Sequence, residues 1–354
     1  MMTFRQLSDK QESLPMTTAW YLADLGEAKG KQELFTRQSP QRLKVLREHA
    51  LIESAVSSNR IEGVEVDRSR VATIVFGKPL LRDRNEEEIA GYREALKLIH
   101  EQGAGLPVSQ GTILKLHRLA RGEIWDAGKY KEKDCDIIEK HADGTSRMRF
   151  KTVPAVATPD AMTELLELWD NCLRDRWVHP LIALAAFNLD FLCIHPFRDG
   201  NGRVSRLMFL LQVYHLGYEV GRYISLERLI EQNKERYYEI LEQSSQDWHE
   251  GKHNPWPFVN YILFVLKTAY HEFEERVGQT KEPKGAKAGL VLNAIRSQAG
   301  DFRLSDIEQA CPGVGRDWIR ALLADLKSDG KLTCRGKGPA ARWHYHDSKG
   351  STSK

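Results

Sequence analysis

A twelve-residue segment, His195 to Arg206, combines side chains that together suit phosphate chemistry. It reads HPFRDGNGRVSR. His195 is of the residue type most often used as a general base near neutral pH. Asp199 offers a hard oxygen ligand of the kind that Mg²⁺ takes beside phosphates. Arg203 and Arg206 are three residues apart, so on a helix they share a face and can both meet a polyphosphate.

The elements around this segment must present it at the edge of a core. Residues 179–194 are apolar nearly all round, which is typical of a buried helix. Pro196 disfavours helical angles at His195, so this helix is expected to end there. Gly200 and Gly202 permit a tight turn, and a second helix is predicted to start near Gly202. Because the free N–H groups and dipole of a helix N-terminus favour negative charge, this turn predicts an anion site. The chemistry indicated is phosphoryl or nucleotidyl transfer.

The segment resembles the signature of the Fic family, HPFx[D/E]GNGRxxR, at every fixed position. Fic proteins are mostly protein AMP-transferases, which move AMP from ATP to a Ser, Thr or Tyr hydroxyl of a target protein and release pyrophosphate. The resemblance implies that His195 deprotonates the target hydroxyl and that Asp199 holds Mg²⁺ between the α- and β-phosphates. The family's phosphotransferase branch departs from GNGR in its second half, so the intact GNGR favours AMP transfer.

The same resemblance assigns the rest of the motif to the nucleotide site. Gly200, Asn201 and Gly202 are expected to cradle the phosphates, with Asn201 near the α-phosphate. Arg203 and Arg206 are expected to bind the outer phosphates. Phe197 is expected to point into the core and fix the loop.

A second motif lies far upstream, where Ser58 to Gly63 reads SNRIEG. It resembles the family's inhibitory motif, [S/T]xxxE[G/N]. A Glu delivered to the nucleotide pocket can pair with an Arg that should hold the γ-phosphate, and it repels the phosphates. By resemblance Glu62 pairs with Arg206 and Ser58 bonds nearby. The motif lies N-terminal to the signature, as in the family's second class. The alternative is an ordinary helix end capped by Gly63.

Residues 134–153 interrupt the helical pattern. They hold an Asp143-Gly144 pair between partly alternating stretches, which predicts a β-hairpin. The resemblance places this hairpin at the family's flap, which pairs with a segment of the target protein as an added strand. A plain surface hairpin is the alternative.

Residues 222–241 resemble the family helix on the adenine side of the site. Tyr223, Asn233, Tyr237 and Tyr238 lie in this stretch. An aromatic ring there can stack on the base, although tyrosine pairs are also common in cores and interfaces.

The C-terminal part has a different character. Residues 286–354 hold 12 Lys/Arg against 7 Asp/Glu, and the Gly- and Lys-rich stretch 278–289 reads as a linker. Beyond it, patterns for three helices and a short hairpin resemble a winged helix-turn-helix over residues 290–346. Arg316 and Arg320 on its third helix are candidates for contacts to DNA phosphates. The alternative is a winged helix that contacts protein.

The whole chain is expected to be mainly α. It divides into an N-terminal extension (1–40), a Fic-type helical bundle (41–277) with an inhibitory helix near 45–63, the linker, the winged helix and a tail (347–354). The 354 residues carry a formal charge of +3 and are 41% hydrophobic, which excludes a disordered chain. No apolar run is long enough for a membrane span, and the charged start does not suit a signal peptide, so a cytoplasmic location is expected. The five scattered cysteines form no CxxC pair, so neither a zinc site nor a disulfide framework is indicated.

Three functional hypotheses follow. The first is an ATP- and Mg²⁺-dependent protein AMP-transferase that is autoinhibited by Glu62, can modify itself, and can form a homodimer. The second is the reverse reaction, hydrolytic removal of AMP from a target, with Glu62 positioning a water. The third is a DNA-binding regulator whose Fic part senses nucleotide. A complete catalytic signature favours an enzyme, because a sensor has no need of His195.

Overall fold

The structure is a computed structural model. It describes residues 2–9, 14–36, 40–77, 80–122, 124–140, 144–278, 286–296, 298, 300–311, 314–336, 338 and 341–346.

The main body is helical, with one hairpin. Its helices are α1 (Thr3–Asp9), α2 (Met16–Thr36), α3 (Pro40–Ile61), α4 (Arg68–Phe76), α5 (Arg84–Gln102), α6 (Gln110–Arg121), α7 (Thr158–Asp175), α8 (Pro180–Ile194), α9 (Asn201–His215), α10 (Leu226–Glu231), α11 (Lys234–Ser245) and α12 (Trp256–Gly278). Strands β1 (Ile137–Lys140) and β2 (Ser146–Phe150) pair antiparallel between α6 and α7.

Helix α8 is the centre of this body. His179 caps its N-terminus and Pro180 occupies the first helical position, where a missing N–H costs nothing. Every residue from Leu181 to Ile194 is buried, against α1, α7, α9 and α12. The apolar run therefore forms the buried helix that it predicted, and it fixes the position of His195 at its end.

The N-terminal residues pack on this core and do not form a loose extension. The buried carboxylate of Asp190 on α8 accepts hydrogen bonds from the Thr3 backbone N–H at 2.8 Å and from Trp248 Nε1 at 2.7 Å. Burial raises the pKa of Asp190 to about 6. Helix α2 lies along α12. No sequence periodicity predicted this docking, because it depends on a polar contact between residues nearly two hundred positions apart.

The hairpin occurs where it was predicted, and Gly144 has the positive φ of +84° expected of a turn glycine. Ile138 pairs with Met148 across the two strands. Residues 141–143, which include the predicted turn residue Asp143, lie outside the described residues.

The C-terminal residues form a separate small core. Helices α13 (Ala286–Arg296), α14 (Leu304–Ala310) and α15 (Arg316–Ser328) are followed by strands β3 (Leu332–Arg335) and β4 (Arg342–Tyr345), which pair antiparallel. Phe302 bridges to Trp343 of β4. The three predicted helices and the hairpin are thus present, while the winged-helix assignment stays a prediction. Residues 286–289 of the predicted linker lie in α13, and residues 279–285 and the tail are outside the described residues.

Helix α13 packs on α3 of the main body. The contact is close at Gly289, where an added Cβ would lie 2.3 Å from Val45 Cγ1. Among the described residues, no helix is both long enough and apolar enough to cross a bilayer.

Candidate active site

The loop between α8 and α9 places His195 at the rim of a cavity. His195 has left-handed backbone angles (φ 53°, ψ 60°), and its N–H donates to Phe191 O at 3.0 Å, which ends α8. Asn201 closes the loop from its other end. Its Oδ1 accepts from the Phe197 N–H at 2.9 Å and its Nδ2 donates to Phe197 O at 2.8 Å.

Phe197 is fully buried and anchors the loop. Its ring stacks on His117 of α6, with centroids 3.7 Å apart. Both ring nitrogens of His117 have polar partners. Nε2 lies 3.0 Å from Asp199 O, and Nδ1 accepts a hydrogen bond from the Gly128 N–H. His117 thus contacts the loop both through the Phe197 ring and through Asp199 O.

Two glycines of the motif are required by close contacts. Gly200 has φ +84°, and an added Cβ would lie 3.0 Å from Arg121 Cδ. At Gly202, in the first turn of α9, an added Cβ would lie 2.3 Å from Glu62 Oε1. A side chain at position 202 would therefore displace the group that occupies this end of the cavity.

One cavity brings together six of the predicted site residues: Glu62, His195, Gly202, Arg206, Tyr237 and Tyr238. The flap side of the cavity is formed by Asp136, Ile137, Arg149 and Phe150. Its remaining lining residues are Cys135, Leu192, Cys193, Arg198, Leu241, Glu242 and Ser245. The cavity thus joins the loop, the end of α3, the hairpin and α11.

Glu62 and Arg206 form a direct ion pair in this cavity. Arg206 Nη2 donates to Glu62 Oε1 at 2.7 Å, and Arg206 Nε donates to Ser58 Oγ at 2.8 Å. The Arg206 guanidinium is almost fully buried, whereas the Glu62 side chain is 27% exposed. Burial alone would lower the pKa of Arg206, but the nearby Glu62 carboxylate outweighs it and raises the pKa above its usual value. Gly63, with φ +81°, follows Glu62 at the end of α3.

His195 is held neutral at physiological pH. Burial is the main cause, and the Lys131 ammonium adds to it; together they lower the pKa of His195 to about 4. Lys131 is fixed close by, because its Nζ donates to Thr152 Oγ1 at 2.8 Å and to Ile194 O at 3.2 Å. A neutral imidazole can accept a proton, as a general base must.

Arg203 lies outside the cavity, in a buried ion-pair cluster. Its Nη1 donates to Glu88 Oε2 at 2.7 Å, and Glu88 Oε1 accepts from Arg121 Nη1, also at 2.7 Å. Arg121 Nη1 also lies 2.7 Å from Asp199 Oδ2, and Arg203 Nη2 lies 3.7 Å from Asp199 Oδ1. The predicted phosphate role of Arg203 stays a prediction, since its guanidinium here is occupied by carboxylates.

Asp199 has the chemistry that a magnesium ion beside phosphates requires. Its carboxylate is 55% exposed, and a hard cation held by one carboxylate and the substrate's phosphates is a common arrangement. Its present partners are the Arg121 guanidinium at 2.7 Å and Arg203 Nη2 at 3.7 Å. Asp199 therefore fits a Mg²⁺ ligand.

The adenine-side candidates divide into two groups. Tyr237 and Tyr238 line the cavity, with Tyr238 under the Arg149 guanidinium at 5.4 Å. Burial raises the pKa of Tyr237 to about 12, so its hydroxyl stays protonated. Asn233 is exposed at the start of α11, and its Nδ2 donates weakly to Leu229 O at 3.4 Å. Tyr223 is buried against Phe273 in the core. Neither of these two residues lines the cavity.

Sequence reasoning missed three residues that shape the site. Glu88 and Arg121 hold Arg203 and Asp199, and Arg149 links the flap to α11 through Glu242 at 3.1 Å. Glu88 lies in an acidic helix start, a pattern that ordinarily indicates only the helix N-terminus. The alternation in the hairpin placed Arg149 on a strand but gave no sign of which face meets the cavity.

The arginines of the C-terminal helix α15 are both engaged with acids. Arg316 Nε lies 3.5 Å from Glu308, and Arg320 Nη1 lies 3.2 Å from Asp317. Contact with DNA through residues 290–346 therefore stays a prediction.

Comparison with known proteins gives a consistent result. Residues 107–213 match the family model described as Fic/DOC family. The protein adenylyltransferase Fic of Drosophila melanogaster is 23% identical over 239 residues, which is 61% of this chain and 44% of that protein. The protein of the same name from Nematostella vectensis is 23% identical over 255 residues, covering 68% and 55%. The chain thus spans about half the length of these curated relatives.

Solved structures share the fold. A Fic family protein from Desulfovibrio desulfuricans superposes with a TM-score of 0.61 at 23% identity, covering 96% of this chain and 99% of that one. Fic-1 from C. elegans gives a TM-score of 0.58 at 17% identity, covering 75% and 76%. The chain therefore has a mainly helical Fic fold with a β-hairpin, its residues 107–213 match the Fic/DOC family model, and it has distant similarity to Fic protein adenylyltransferases.

Proposed function

We propose that the chain is a protein AMP-transferase that moves AMP from ATP to a hydroxyl of a target protein and is held inactive by Glu62. The observation that carries this proposal is the single cavity that joins His195, Gly202 and Arg206 with the hairpin. It combines a base, the N-terminal turn of a helix and a buried cation, which are the groups that nucleotidyl transfer needs.

The reaction would run as an in-line displacement at the α-phosphorus. The neutral imidazole of His195 takes the proton of the target hydroxyl, whose oxygen bonds to the α-phosphorus. The bond from that phosphorus to the oxygen bridging to the β-phosphate breaks, and pyrophosphate leaves. Mg²⁺, which Asp199 would hold, neutralises phosphate charge when it is bound. His195 then loses its proton to solvent.

The nucleotide's outer phosphates would take the place of the Glu62 carboxylate on Arg206. Both groups are anions that need the same Nη2 donor, so they compete for it. This competition is what the inhibitory motif of the second Fic class implies. The hydrogen bonds from Arg206 to Ser58 would hold the Arg206 guanidinium in place whether Glu62 or a nucleotide phosphate is bound to it.

The hairpin supplies the side of the cavity that a target segment would meet. Ile138 and Met148 are 57% and 59% exposed on this two-stranded sheet. An extended segment of a target protein could add to its edge by backbone hydrogen bonds, which orients a hydroxyl toward His195 without reading much of the target's sequence.

A second reaction, hydrolytic removal of AMP, is favoured by one feature of the cavity. The Glu62 carboxylate lines the same cavity as His195 and keeps partial exposure, so it could orient a water toward the phosphorus. Incubation of an AMP-modified target with the wild-type chain and with Glu62→Gln distinguishes the two. Loss of AMP that requires Glu62 indicates hydrolysis.

Transfer of label from ATP tests the main proposal. The Glu62→Gly protein is incubated with Mg²⁺ and ATP labelled on either the α- or the γ-phosphate. We expect only the α-label to enter protein, and we expect none in Glu62→Gly/His195→Ala. Transfer of the γ-label alone would replace the proposal with phosphotransfer.

A further inference from the structure

A second hollow lies beside the cavity, on the His195 side of the flap. It is lined by Trp125, Asp126, Lys129, Tyr130, Lys131, Glu132, Lys133, Cys135 and Arg198. Cys135 and Arg198 line both the hollow and the cavity, so the two are continuous. The Lys131 N–H donates to Pro196 O at 2.9 Å, which holds this segment along the loop that follows His195.

The residues that line the hollow carry a net positive charge. It holds Lys129, Lys131, Lys133 and Arg198 against two carboxylates, and one of these, Asp126, is already paired with Arg198 Nε at 2.7 Å. Lys129 and Lys133 make no ion pair with any other residue in the described part of the chain. Their charges are therefore available to an incoming anion.

An aromatic side chain covers one side of the hollow. Trp125 is 62% exposed, and the Arg198 guanidinium lies 5.0 Å from its ring centroid. The pairing with Asp126 and the contact with the ring both restrain Arg198. An exposed indole that lines the same hollow as Lys129 and Lys133 suits a carboxylate on a short aliphatic stem, since the stem packs on the ring while the charge meets the lysines.

We propose that this hollow is a target-side subsite that selects an acidic residue next to the hydroxyl to be modified. The proposal rests on the proposed AMP transfer and specifies its substrate class. Cys135 lies in the flap two residues before β1 and lines both the cavity and the hollow, so a target chain that lies along β1 and presents its hydroxyl to His195 passes the hollow. Because the hollow and the cavity share Cys135 and Arg198, the side chain that enters the hollow belongs to a residue close to the acceptor.

Short peptides test this selection directly. The probes are three peptides with one Tyr acceptor, flanked by Glu, Gln or Lys, assayed for α-label from ATP with Glu62→Gly as the enzyme. We expect kcat/KM for the Glu peptide to exceed that for the Lys peptide by about fivefold, the upper end for a solvent-exposed charge contact. Adding Lys129→Glu and Lys133→Glu is expected to reverse the order. Adding Lys115→Glu, an exposed lysine of α6 that does not line the hollow, is expected to leave the order unchanged.

Self-labelling of the enzyme distinguishes a failure of the proposed AMP transfer from a failure of the proposed subsite. If no α-label enters the enzyme or any peptide, the proposed AMP transfer itself is wrong. If the enzyme labels itself but modifies the three peptides equally, or modifies none of them, the subsite is wrong. The subsite is also wrong if the double charge reversal leaves the peptide order unchanged.

Discussion

Arg206 and Glu62 lie 144 positions apart in the chain and meet at 2.7 Å inside the cavity that holds His195. The contact joins the end of α3 to the second turn of α9. It satisfies a buried guanidinium with a carboxylate that could leave toward solvent. The pair is therefore suited to be opened by a competing anion such as a nucleotide phosphate.

Loss of the Glu62 carboxylate is expected to raise AMP incorporation. A charge-assisted hydrogen bond to a buried group contributes about 1.5–3 kcal/mol, so nucleotide binding should tighten by roughly ten- to hundredfold in Glu62→Gly. Calorimetric titration with a non-hydrolysable ATP analogue measures this change. Glu65→Gly, an exposed acid three residues on, serves as the control and should bind like the wild type. Equal affinities of Glu62→Gly and Glu65→Gly would contradict the inhibitory role.

The rate should be insensitive to pH in the range where an ordinary histidine titrates. With the pKa of His195 lowered to about 4, the imidazole is neutral from pH 8 down to about pH 5. A histidine acts as a general base only when its imidazole is neutral, so label incorporation by Glu62→Gly should fall only as the pH approaches 4. Lys131→Gln removes a nearby cation and should move this fall to higher pH. A half-maximal rate near pH 6.5 in the parent would show that the histidine is not held neutral.

Glu88 is expected to be important for stability although it does not line the cavity. Glu88→Gln removes a buried carboxylate that faces both Arg203 and Arg121, and leaving buried charges uncompensated costs about 3–5 kcal/mol. Urea unfolding measures the loss. The neighbouring Glu87 makes only an exposed contact with Arg84 at 3.3 Å, so Glu87→Gln should change stability by less than about 0.5 kcal/mol. A similar loss of stability in Glu88→Gln and Glu87→Gln would show that the ion-pair cluster around Glu88 does not stabilise the fold.

The contact between α13 and α3 can be tested at Gly289. Gly289→Ala places a methyl group 2.3 Å from Val45 Cγ1, and overpacking of this kind costs about 1–3 kcal/mol. Gly26→Ala is the matched control, since Gly26 is also inside a helix but has no atom within 4 Å of its added Cβ. It should stabilise by about 0.5–1 kcal/mol through helix propensity. Thermal unfolding should therefore shift in opposite directions, and a stabilised Gly289→Ala protein would show that the helices do not touch.

The parts of the site that could be predicted are those encoded by local spacing. The apolar run of α8, Pro196 and the two glycines together determine where one helix ends and the next begins, so the loop was predictable from its own residues. The hairpin followed from a turn signal between two alternating stretches. These features depend on contacts within a few residues along the chain.

The remaining parts depend on tertiary packing. The burial of Arg203 against Glu88 requires α5 and α9 to meet, and no periodicity in either helix indicates which acid faces which base. The position of Asn233 outside the cavity, one turn before Tyr237, depends on the orientation of α11. The docking of α1 through Asp190 likewise depends on a buried carboxylate whose partners are distant in sequence.

The mass of the protein after incubation with ATP and Mg²⁺ tests the central claim most directly. Glu62→Gly and Glu62→Gly/His195→Ala are incubated side by side and measured intact. We expect Glu62→Gly to gain the mass of one or more AMP groups on hydroxyl side chains and the double variant to gain none. A gain of phosphate alone, or equal AMP addition in both proteins, would contradict AMP transfer by His195.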